Sequence, residues 1–170
     1  MREKILMYEK AWRKIEPDVF ETLSQKAKRA YPYSVIHVHV VDIIDQPRTI
    51  PLIISYRESV DKFIVTLIIE LIYKSWYFEN ESFKTGFSKE SEATRKVLLL
   101  YCFFCAITVD TLKKPEYKDI LVAVLPKELK KGIEQAENIV SKFGHNHILE
   151  TYIKKRGMYL HPDQEYRISL

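Results

Sequence analysis

The chain has 170 residues, 46% hydrophobic and 12% aromatic, enough for one domain built around a packed core. Its 4 glycines and 7 prolines exclude a disordered chain and a turn-rich β-sandwich. The net charge of +4 comes from 27 basic and 23 acidic residues. The basic clusters Lys113–Lys114, Lys130–Lys131 and Lys154–Lys155–Arg156 are interspersed with acids, which favours solvated helix faces over a nucleic-acid surface.

Residues 1–30 read as two helices. Ile5, Tyr8, Trp12 and Ile15 share one face of the first; Val19, Phe20, Leu23 and Ala27 share one face of the second, with Pro17 suited to its first turn. Charges run through Met1–Lys10, so no secretory leader is expected there, and the uncharged run Val97–Val109 falls short of the ~20 residues that cross a bilayer. A cytoplasmic protein with no membrane partner is expected. Abundant Ile, Lys, Glu and Tyr with little Asn or Gln point to a thermophilic source.

Two strands follow within residues 34–56. Ser34–Ile44 alternates, with Ile36, Val38 and Val40 on one face and His37 and His39 on the other. Asp45-Gln46-Pro47-Arg48 reads as a turn into a second strand, Thr49–Tyr56, and the short link predicts an antiparallel hairpin. Pro51 cannot donate to a ladder, which places that strand at an edge.

Residues 59–114 carry the core helices. Within 60–80 almost every position is apolar except Lys62, Thr66, Glu70 and Lys74, which recur every fourth residue and form one narrow polar stripe. Such a helix belongs at the centre of a domain, with the stripe facing a cleft or water; Ser59 is its expected N-cap. Residues 79–87 read as a loop, and Ser88 or Ser91 caps a second core helix running to Lys114. The state of 116–125 is not assigned by periodicity. Leu129, Ile133, Ala136, Val140 and Phe143 trace a helix over 127–143, stopped at Gly144; 145–156 makes another, and 158–170 reads as an irregular tail.

This order of elements, a small β-sheet packed against a long buried central helix with further helices around it, is an α+β plan. Together with Val65-Thr66-Leu67-Ile68-Ile69-Glu70-Leu71-Ile72-Tyr73 it resembles the minigluzincins, small zinc metallopeptidases whose central helix carries His-Glu-x-x-His. On that resemblance Glu70 holds the position of the general base, while Ile69 and Tyr73 replace the two zinc-binding histidines. Glu92 stands nearest the third-ligand position, with Arg95 and Lys96 as alternative registers. Isoleucine offers no donor atom, and a phenol with a pKa near ~10 is a poor ligand at neutral pH. Without the metal no water is acidified, so Glu70 has nothing to deprotonate. Glu70 is then either a relic in a former cleft or half of a solvated i, i+4 pair with Lys74.

The resemblance implies a non-catalytic protein without a cofactor, acting as a peptide- or protein-binding module. Its expected binding residues are Thr49, Leu52, Ile54 and Tyr56, along an edge strand to which an extended peptide adds. The alternatives are a metal-dependent enzyme using His37 and His39, and a nucleic-acid accessory protein using the dispersed Lys/Arg clusters. Cys102-x-x-Cys105 sits among aromatics in mid-helix and reads as a pair of buried core thiols. Asn146, between two histidines at a helix start, reads as a cap.

Overall fold

The computed structural model describes residues 2–28, 35–41, 52–55, 59–76, 86–153 and 167–169. The helices are α1 (Arg2–Arg13), α2 (Glu16–Ala27), α3 (Val60–Trp76), α4 (Glu92–Cys105), α5 (Tyr117–Val124), α6 (Lys127–Phe143) and α7 (His145–Tyr152). The strands are β1 (Val35–Val41), β2 (Leu52–Ser55) and β3 (Arg167–Ser169). The protein is mixed α and β, and mostly helical.

Helix α3 is the hub. From Phe63 to Ile72 every residue is buried, and around it pack α1, α2, α4, α5 and β2. A helix with so little polar surface gains roughly 1.5–3 kcal/mol for each large aliphatic side chain it removes from water, so covering its whole circumference dominates the packing. Ser59 caps it as expected: its Oγ accepts from the Lys62 amide at 3.2 Å. Tyr8 of α1 stacks on Phe63 with ring centroids 4.2 Å apart, fastening the first helix to the hub.

The sheet corrects the hairpin expectation. β1 and β2 are parallel, in a register running from Val38 opposite Leu52 to Val41 opposite Ser55. β3 pairs with β1 on its other side, also parallel, so β1 lies between β2 and β3. The turn-forming letters of Asp45–Arg48 do not fix strand direction, and residues 42–51 lie outside the described residues, as do Thr49, Pro51 and Tyr56. The alternation within β1 holds: Ile36 and Val38 are buried while His37 and His39 are exposed. The tail, expected to be irregular, contains β3.

Ser91 caps α4 through its Oγ, which accepts from the Thr94 amide at 3.1 Å. After Cys105 the helix widens into a π-helical turn, Ala106–Thr111, which periodicity does not foresee. Two threonines bond back onto this segment: Thr108 Oγ1 donates to the Phe104 carbonyl at 2.8 Å and Thr111 Oγ1 to the Ala106 carbonyl at 3.1 Å. Lys113, at φ 56°, then turns the chain out of the helix. Residues 117–124, unassigned from sequence, form α5, and α6 covers the expected 127–143. Gly132 lets α6 lie close on α4, since a Cβ there would meet Val97 Cγ2 at 3.1 Å.

Candidate functional site

The stretch from Val65 to Ile72 lies inside the core. Ile69 is buried, Glu70 is only 6% exposed, and Tyr73 is half-buried. The polar stripe therefore faces packed protein, not an open cleft or solvent. Thr66 is 2% and Lys74 7% exposed, so a solvated Glu70–Lys74 pair is excluded. Thr66 satisfies its hydroxyl by donating to the Lys62 carbonyl at 2.7 Å. Burial, with the charge of Glu70 beside it, pushes the Tyr73 phenol up to about 12, so it is protonated at neutral pH. Burial also lowers the Lys74 ammonium below its ordinary value. Glu92 is exposed in the first turn of α4, in an i, i+4 ion pair with Lys96. The alternative register residue Arg95 is tied to the Glu90 carbonyl at 2.5 Å.

The other sequence candidates separate as follows. His37 and His39 stand on the exposed face of β1, and among the described residues no group of three or more His, Cys, Asp or Glu could hold a metal ion. Leu52 and Ile54 are 1% and 0% exposed: their side chains are core, so only the β2 backbone and the half-buried Ile53 remain for a ligand. Cys102 and Cys105 are free and buried. Burial raises both thiols, Cys105 to about 11 against the opposing pull of Lys118, so both are protonated at neutral pH. Of the basic clusters, Lys114 donates to the Tyr117 hydroxyl at 2.9 Å, which in turn donates to Asp61 at 2.8 Å; residues 154–156 lie outside the described residues. No described helix is long and apolar enough to cross a membrane.

The most developed polar cluster is one the sequence does not show. The π-helical turn carries Asp110 toward the first turn of α7, where its Oδ2 accepts from His145 Nε2 and Asn146 Nδ2, each at 2.7 Å. Asn146 is therefore no cap; it clasps Asp110. The carboxylate lies at the N-terminal, electropositive end of α7, where an anion is favoured. Beside it Thr111 Oγ1 and Thr22 Oγ1 share a 2.8 Å bond, joining the π turn to α2. Burial alone would raise the Asp110 carboxyl, but the bonds from His145 and Asn146 and the charges of His145 and Lys26 outweigh it and hold the carboxyl below its ordinary value. One helical turn further along α7 lies a cavity of about 140 Å³, lined by Gln25, Lys26, Lys28, Leu149 and Glu150. Asp110 and His145 are 35 positions apart, so no local pattern could have signalled their meeting.

This clasp has a definite pH signature. Asp110 titrates lower in the folded chain than in the unfolded one, so its contribution is present above the ordinary carboxyl range and is lost as pH falls through the folded value. The Asp110→Ala variant removes the acceptor from a His145 side chain only 18% exposed and should cost about 1–2 kcal/mol at neutral pH. Urea unfolding of both proteins between neutral pH and about pH 2 checks this: the gap should close on acidification. A gap constant with pH would show that Asp110 acts through packing alone.

No protein-family model, curated protein or solved structure matches this chain, so its function is read from the arrangement of its own side chains.

Proposed function

We propose that the protein is a non-catalytic, minigluzincin-like module that binds a peptide or protein segment along the edge of its sheet. The observation that carries this reading is the burial of Ile69 and Glu70 in the core at the positions where a zinc peptidase holds a metal ligand and a general base. A helix packed against protein at those two positions serves the core. The edge supports the binding half: β2 has β1 on one side and pairs with no strand on the other among the described residues. Buried Leu52 and Ile54 anchor it, and its backbone edge can accept a further strand. Its free, buried thiols are compatible with a cytoplasmic setting.

Two experiments test this reading. The Ile69→His/Tyr73→His variant restores His-Glu-x-x-His at i and i+4. It should unfold more easily than the native chain by roughly 1–3 kcal/mol without metal, and zinc, entering past the half-buried position 73, should recover that loss. Destabilisation that zinc leaves untouched would refute the minigluzincin ancestry. For binding, heptapeptides selected from a displayed random library against the native chain should bind the Ile53→Lys variant at least about tenfold more weakly, since a lysine on an edge strand opposes strand addition. Equal affinity for the two proteins would remove the β2 edge from the account.

A further inference from the structure

The clasp at the start of α7 leaves one reactive atom unused. Asp110 is ionised at neutral pH and can only accept, so the proton in its 2.7 Å bond with His145 sits on Nε2. Asn146 Nδ2 donates to the same oxygen and holds the carboxylate in place. The neutral imidazole therefore carries its lone pair on Nδ1, which makes no hydrogen bond among the described residues. Among those residues no group of three or more His, Cys, Asp or Glu could share a metal ion with it. The surroundings favour an anion instead. Gly144, the N-cap, brings no side chain to cap α7, and the first bond of the helix is donated by the Ile148 amide to the Gly144 carbonyl at 3.1 Å. The amides of His145, Asn146 and His147 thus have no partner within the helix, and this end is electropositive. The charge of Lys26 reaches Asp110 as well. A Cβ placed on Gly144 would meet nothing within 4 Å, so the entry to the helix is open there.

We propose that His145 is a phosphoryl-acceptor site, modified on Nδ1 by a small acyl phosphate. In this step Nδ1 attacks phosphorus and a P–N bond forms. The bond from phosphorus to the acyl oxygen breaks, and the departing carboxylate keeps its electron pair. The proton stays on Nε2, so the positive charge gained by the ring faces the Asp110 carboxylate 2.7 Å away. That carboxylate assists twice: it fixes the tautomer that exposes a lone pair on Nδ1, and it stabilises the imidazolium that forms. The phosphoryl group then adds negative charge at a helix N-terminus, where it is favoured. His147, two residues further on, is exposed and bonds to no carboxylate among the described residues, so it has neither form of assistance. The inference goes beyond strand addition and uses no residue of the sheet, so the two readings fail separately.

The test incubates the full native chain with acetyl phosphate at neutral pH and follows intact mass, with the modified residue located by fragmentation. A phosphohistidine is labile in acid and stable in alkali, which separates it from an acyl phosphate on Asp110 and from a phosphorylated hydroxyl. Within the native chain, His145 should gain its phosphoryl group at least about tenfold faster than His147. The Asp110→Asn variant keeps the size of the side chain and loses its charge. It should slow labelling of His145 at least about tenfold and leave that of His147 unchanged. The His145→Ala variant should lose the fast label altogether. The comparison of the two histidines needs no variant, so it stands whether or not a substitution disturbs folding. Equal rates at His145 and His147, an alkali-labile label on Asp110, or no label at all overturns the proposal. So does an Asp110→Asn chain, folded by circular dichroism, that labels His145 at the native rate.

Discussion

Helix α3 has almost no polar surface, and that single property dictates most of the architecture. A helix apolar on one stripe can lie on a domain surface; one apolar nearly all round has to be covered on all sides. Here α1, α2, α4, α5 and β2 supply the cover. The stacking of Tyr8 on Phe63 and the hydrogen-bonded chain from Lys114 through Tyr117 to Asp61 are local fastenings of that cover onto the hub. The sheet is small because it is one wall among several.

The same constraint decides the fate of the metallopeptidase-like positions. In a zinc site the helix face bearing the two histidines must open onto solvent and substrate. In this chain the corresponding face carries a buried Ile69 and a half-buried Tyr73, and packing closes it around Ile69. Two groups of the polar stripe are accommodated in different ways. Thr66 bonds to its own helix, and Lys74 lies where burial already weakens its hold on a proton. Outside this core lie the edges of the sheet, and the seam where α2, the π-helical turn and α7 meet around Asp110.

Local signals were strong in this sequence. The caps at Ser59 and Ser91, the break before Pro17, the span of α6 with its stop at Gly144, the burial of Cys102 and Cys105 and the exposure of His37 and His39 all follow from periodicity and short-range chemistry, whereas Phe143 at the end of the α6 stripe is exposed. What stayed hidden depends on distant partners. Strand direction is one such property, and the letters of a turn do not encode it. The π-helical turn adds a residue that no amphipathic pattern reveals, and with it comes the meeting of Asp110 with His145 and Asn146. The stripe on α3 was visible as a pattern, but whether it faced water or protein depended on what covered it. Leu52 and Ile54 were visible as strand residues, but only the packed fold shows them turned into the core, where they cannot touch a ligand.

The central claim, that α3 is the sealed core of the domain and not the wall of a catalytic cleft, is tested most directly by native-state hydrogen exchange along that helix. The amides from Phe63 to Ile72 should exchange only through global unfolding, with an opening free energy equal to the stability measured in denaturant. Exchange of those amides through local opening, at a lower free energy than the amides of α4 or α6, would contradict it.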